Sequence, residues 1–174
     1  MGWRIITNHK QKRPRLDLPA GPLDQFLDLA ALLAVLLQVA VLLWYWGDLP
    51  DQVAVHFGPG GQPDDWGSRY ALWMLPGISI VMYGLFRFLK RKPHTFNYPW
   101  PITAGNAERQ YRLARSLLGW VELVTVGIFT YLTLFTVQVG LGQASGLSPL
   151  FLPVTMAATF GPIIGYFILA GKSR

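Results

Sequence analysis

The sequence predicts an all-α integral membrane protein, with four transmembrane helices and an ordered extracytoplasmic loop between the first and the second. Three observations carry that prediction. The apolar fraction is 52% against 14% charged, on the membrane side of ordinary globular composition. The apolar residues gather in four runs, 26–46, 70–89, 113–139 and 150–170, each long enough to cross a hydrocarbon core of about 30 Å. Basic residues collect at alternate connections between those runs. At 174 residues the chain suits one domain, so residues 26–170 read as a single membrane unit. A basic tail, 1–25, precedes it and a short tail, 171–174, follows. The outer loop covers 47–69 and the inner loop 90–112.

The tail carries Arg4, Lys10, Lys12, Arg13 and Arg15, with Pro14, Pro19 and Pro22 opposing a helix. Such a segment lies against anionic headgroups and fixes orientation. Asp24 is placed to cap the first span, since a short acidic side chain accepts from free backbone N–H groups. The first run exceeds the roughly 7–15 apolar residues of a signal-peptide core. Trp44, Tyr45 and Trp46 follow it where cleavage would need small residues. It is a retained span.

The first connection has Arg69 as its single basic residue against Asp48, Asp51, Asp64 and Asp65. The second holds Lys90, Arg91 and Lys92, then Arg109, Arg112 and Arg115 on the approach to span three. The third is uncharged, and the chain ends on Lys172 and Arg174. By the positive-inside rule both termini and the second connection are cytoplasmic, in a plasma membrane, and the first connection faces outward. Tryptophan and tyrosine at 44–46 and at 66, 70 and 73 match a headgroup boundary on that outer side. Basic residues flanking spans are topology signals, so the net charge of +6 is no argument for nucleic acid. With no cysteine, disulfides and thiolate metal sites are excluded.

In the inner loop, Pro-rich 93–101 is extended and 106–120 turns helical. Ala107, Tyr111, Ala114 and Leu118 recur at three- or four-residue spacing, and Glu108 precedes Arg112 by four. The pattern predicts an amphipathic lead-in lying on the inner leaflet before span three. Within the membrane, Glu122 and Arg87 stand at similar depth, and an acid there is costly unless paired. They are expected to form an ion pair locking two helices, with a proton or ion relay as the other reading. Gly161 and Gly165 give span four a GxxxG face for helix packing, and Pro76, Pro153 and Pro162 predict kinks.

The outer loop holds the unusual chemistry. Residues 52–57 alternate well enough for a short strand, Gly58-Pro59-Gly60-Gly61 forces a turn, and 63–68 return the chain to the membrane. Asp64, Asp65 or Ser68 is placed to cap span two. His56 with the aspartates supplies a minimal metal set at best, without HExxH or paired-histidine spacing, and no nucleophile elbow surrounds Ser68. No catalytic residue, metal or cofactor is assigned. The favoured reading is an ordered loop, used for binding, in which these polar groups satisfy one another.

The run LPDQVAVHFGPGGQPDDWGSRY, through Leu49, Pro50, Asp51, His56, Phe57, Gly61, Pro63, Asp64, Trp66 and Ser68, resembles the signature of a bacterial membrane domain of unknown function (DUF1648). That signature has Asn where this chain has Gly58, and Lys at Arg69. FNYPWPITAGNAERQYRLARSLLGW resembles the family's second block, and the two together cover roughly residues 44–120. The resemblance implies relatives of the SdpI type, which confer immunity to a secreted peptide toxin. The expected function is therefore a non-enzymatic multi-pass protein in contact with the lipid bilayer, whose outer loop senses or binds a peptide or a membrane-protein partner. Asp51, His56, Phe57, Gly61, Pro63, Asp64, Trp66 and Ser68 are its candidate site residues. A structural subunit or oligomer within a larger membrane complex is the first alternative. A metal-dependent membrane enzyme or transporter is the second.

Overall fold

The computed structural model describes residues 13–173. Arg4, Lys10 and Lys12 of the basic tail, and Arg174, lie outside the described residues. Four helices are long and apolar enough to cross a membrane. They are α1 (Pro22–Tyr45), α2 (Met74–Leu89, entered through a 3-10 turn at Arg69–Trp73), α3 (Ala107–Gly140) and α4 (Phe151–Gly171). A hairpin of β1 (Gln52–Phe57) and β2 (Pro63–Ser68) stands between α1 and α2. The span limits read from the hydropathy runs agree with these helices to within a few residues, except at the start of α3.

There the lead-in and the span form one uninterrupted helix of 34 residues, about 51 Å at 1.5 Å per residue. That is longer than a hydrocarbon core, so one end extends beyond it. The lead-in does not turn onto the leaflet, because its apolar face is already covered by protein. Ala107 and Tyr111 are fully buried, in a cluster with Ile102 that Leu18 and Tyr98 pack against. No Gly or Pro falls between Ala107 and Leu118 to break the helix.

Contacts between side chains fix the helix directions. Ser116 donates to Asp24 at 3.0 Å and Gln38 donates to Thr130 at 3.0 Å, so α1 and α3 run parallel. Ser79 donates to Gln38 at 3.1 Å, Lys90 pairs with Asp28, and α2 is therefore antiparallel to both. Gln110 donates to the Ala170 carbonyl at 2.8 Å while Tyr131 stacks on Phe151, which sets α4 antiparallel to α3. One end of the bundle thus gathers the hairpin and the 141–150 connection. The other gathers the basic connection and both described chain ends.

The α1 residues turned inward are Leu27, Ala31, Val35, Gln38 and Leu42, a stripe at three- and four-residue spacing on one helical face. Small residues let α3 come close: a Cβ on Gly119 would stand 3.0 Å from Leu27. The opposite face of α1, including Leu29, Leu33, Leu36 and Leu43, is exposed, as a bilayer-facing surface requires. At mid-height Gln38 joins Ser79 and Thr130 in a buried network linking three helices. Near the hairpin the core is Leu42, Leu49, Val53, Leu72 and Val137.

One kink expectation is revised. Pro153 stands at the third position of α4, where the missing N–H has no intrahelical acceptor to lose. Pro76 follows the 3-10 turn that runs directly into α2, and Pro162 is interior to α4.

Candidate functional site

The hairpin is built as the local sequence requires. β1 and β2 pair antiparallel from Gln52↔Ser68 to Phe57↔Pro63, with irregular register around His56. At the tip Gly58 donates to the Gln62 carbonyl at 2.9 Å and Gly61 donates to the Gly58 carbonyl at 2.8 Å. Gly61 has φ +79°, which a residue with a Cβ adopts only under strain. The same glycine meets the second connection at this end: Leu147 donates its N–H to the Gly61 carbonyl at 2.7 Å. A Cβ on Gly61 would stand 2.8 Å from the Leu147 carbonyl oxygen, and one on Gly146 would collide with the Gly61 carbonyl. The two loops are therefore joined backbone against backbone, through a pair of glycines.

Between them lies a cleft of about 500 Å³. The hairpin contributes His56, Phe57 and the glycine turn, and the facing side is Leu147, Pro149 and Phe151. Beyond the cleft, His56 Nδ1 and Asp64 Oδ1 are 2.6 Å apart, with side chains 67% and 50% exposed. Each of these rings and carboxylates is therefore accessible to an arriving ligand. Among the described residues no three His, Asp or Glu side chains converge in a way that could hold a metal ion.

The base of the hairpin is anchored by Arg69. Its guanidinium donates to the Leu49 carbonyl at 3.0 Å, lies 3.7 Å from Asp51 and stacks over Trp46 at 5.3 Å. Trp46 in turn meets Tyr70 and Trp73 with ring centroids 5.4 and 5.7 Å apart. Of the proposed caps, Ser68 serves the 3-10 turn, accepting from the Tyr70 N–H at 3.4 Å. Asp64 is engaged with His56 instead. Asp65 accepts the N–H of Trp66 at 2.9 Å, on its own strand, and Pro63 at the start of β2 has no N–H to offer.

His56, Phe57 and Gly61 are thus gathered around the cleft, with Asp64 bonded to His56. Asp51 and Ser68 lie at the hairpin base, and Pro63 and Trp66 on β2. Gly146, Leu147 and Phe151 of the facing loop were not signalled, since they belong to an uncharged, nondescript stretch.

At the basic end the expected Arg87–Glu122 pair is replaced by a larger network. Arg87 pairs with Asp28, and Lys90 bridges Asp28 to Glu122, which is fully buried. Lys90 comes one helical turn after Arg87 on the same face of α2, and its shorter, deeper ammonium reaches both carboxylates. A second group joins Asp24 to the Gly21 N–H at 3.1 Å, to Ser116 at 3.0 Å and to Arg115 at 3.5 Å. Asp24 thus caps from the third helical position, with Gly21 as the capping residue itself. The inner connection is also tied by Tyr98, whose hydroxyl donates to the Pro93 carbonyl at 2.9 Å. Burial, with Tyr166 and Tyr111 adding to it, raises that phenol and keeps it a neutral donor.

The GxxxG face is not packed against any of the described residues. A Cβ on Gly161 or Gly165 would meet nothing within 4 Å.

Residues 33–80 match the family described as Domain of unknown function (DUF1648), in agreement with the resemblance of the outer loop. The match begins inside α1 and ends inside α2, so the hairpin stands entirely within it. The second resembling block, 96–120, falls outside it. An uncharacterized protein of Archaeoglobus fulgidus is 34% identical over an 82-residue alignment that covers 40% of this chain and 45% of that relative. The match spans less than half the length of that relative. No solved structure matches the chain.

Proposed function

We propose that this is a non-enzymatic multi-pass protein of the bacterial plasma membrane, whose hairpin end binds a peptide or an envelope partner in the manner of SdpI-type immunity proteins. The observation that carries the reading is the cleft of about 500 Å³ between the glycine turn and Leu147–Leu152. It is concave, apolar on one side and flanked by an exposed histidine–carboxylate pair, a combination suited to ligand capture. The charge distribution supports an outward orientation, with Asp48, Asp51, Asp64 and Asp65 at this end and the lysine-arginine clusters at the other. Both termini are then cytoplasmic. Binding outside acts by shifting the packing of the helices that the hairpin rests on.

The test is a challenge of cells with a panel of membrane-active peptide toxins, comparing a deletion strain complemented by wild type, His56→Ala or Asp64→Ala. Protection by wild type and its loss in either variant at equal membrane abundance is the expected result. Equal sensitivity of wild-type and deletion strains to the whole panel removes the immunity reading.

A second reading, a subunit of a larger membrane complex, is favoured by α4. None of its most apolar stretch is fully buried among the described residues, and Gly161 and Gly165 leave its backbone open to a neighbouring helix. Native mass measurement after gentle solubilisation decides: a bound partner or second copy supports it, and a lone monomer counts against it.

A further inference from the structure

Below the ionic network at the basic end is a cavity of about 240 Å³, enclosed by α1, α2, the first turns of α3 and the chain at 16–20. Its charged lining comprises Arg87, Lys90, Arg91 and Arg115 against Asp17, Asp24 and Asp28. The carboxylates of Asp24 and Asp28 are already engaged by Gly21, Ser116, Arg115, Arg87 and Lys90. The donors are not used up. Arg115 Nε is buried without a hydrogen-bond partner among the described residues. Lys90, itself 7% exposed, spends two of its three N–H groups on Asp28 and Glu122. Arg87 uses one of its five N–H groups among the described residues, on Asp28. The Arg91 side chain makes no hydrogen bond or ion pair among the described residues, its backbone N–H alone donating to the Phe88 carbonyl.

The free N–H groups of Arg87, Lys90 and Arg91 thus outnumber the one lining carboxylate, Asp17, that has no partner among the described residues, and Glu122 Oε1 is buried behind Lys90 as a further acceptor. We propose that it binds a phosphate group, either of a phospholipid headgroup or free in solution. A phosphate offers only acceptors and negative charge, and guanidinium groups match its geometry through paired N–H contacts. The place is also right for a lipid. The cavity lies where α2 ends, at Leu89–Lys90, and Leu16, Leu18 and Pro93 give it an apolar rim. Basic pockets between spans at this depth accommodate anionic headgroups.

The test uses the full chain, lipid-depleted in a non-ionic detergent, titrated separately with phosphatidylglycerol, with diacylglycerol of the same tails, and with inorganic phosphate. Binding is read by native mass spectrometry and by thermal shift. Saturable binding of phosphatidylglycerol but not diacylglycerol is expected, and Arg91→Gln weakens it about tenfold, the value of one charge-assisted hydrogen bond. Because Arg91 is exposed and holds nothing else among the described residues, its variant keeps the melting point of the unliganded protein. Arg109→Gln, an equal loss of charge at an exposed position outside the cavity, leaves affinity unchanged. If inorganic phosphate binds with the same Arg91 dependence and the lipid does not, the source is free phosphate. Equal binding of phosphatidylglycerol and diacylglycerol without phosphate binding overturns the proposal. So does an equal loss in the Arg91 and Arg109 variants.

Discussion

At the hairpin end His56 and Asp64 stand in the open, and the two loops are tied by one peptide backbone pressed on another at Gly61 and Leu147. At the basic end Lys90 and Glu122 are inside, and with Asp28 they join three helices. The difference follows from what surrounds each end. A buried charge must be paired, and once paired it locks geometry. An exposed pair such as His56–Asp64 contributes little to stability, which leaves its chemistry available for a ligand. Buried ion pairing and accessible polar chemistry thereby fall at opposite ends of the same helices.

Breaking the contrast at its strongest point means removing Lys90. Lys90→Met leaves two carboxylates facing each other in the interior, and the expected loss is about 3–5 kcal/mol. Thermal unfolding in mild detergent measures it. The triple variant Asp28→Asn, Lys90→Met, Glu122→Gln recovers most of that loss, since neither carboxylate then remains charged. A loss below about 1 kcal/mol for Lys90→Met would mean that water reaches the network.

The hairpin end responds through its backbone. Gly61→Ala introduces a Cβ at positive φ and into the Leu147 carbonyl, for an expected cost of roughly 1–3 kcal/mol. That cost is paid locally, so hydrogen exchange rises across 58–62 and 144–148 while the bundle melts nearly unchanged. Gly60→Ala meets nothing within 4 Å and serves as the neutral control. Between the ends, Gln38→Leu deletes the mid-height network and is expected to cost about 0.6–1.7 kcal/mol, the range of interhelical hydrogen bonds in membranes. A cost comparable to that of Lys90→Met would place the organising centre at mid-height instead.

Much of this architecture was legible from residue order. The four spans, the strand at 52–57, the glycine turn and the Ser68 cap each follow from local rules, because hydropathy, alternation and positive-φ glycine act over a few residues. What was not legible depends on pairs distant in the chain. Glu122 was recognised as needing a cation, but choosing Lys90 over Arg87 requires knowing which face of α2 meets α1 and α3. Asp28 was overlooked because one acid at the edge of an apolar run resembles a flank. The amphipathic lead-in showed its apolar face plainly, yet nothing in the pattern distinguished burial against Ile102 and Tyr98 from burial in lipid. The facing wall of the cleft, 147–152, carries no marked chemistry at all.

The edge of β2 has a further consequence. A two-stranded hairpin offers its open side to any extended chain that passes, including the hairpin of an identical neighbour. Here Pro63 has no N–H to give, and Asp65 has already occupied that of Trp66. Pairing between copies along the β2 edge is thereby disfavoured.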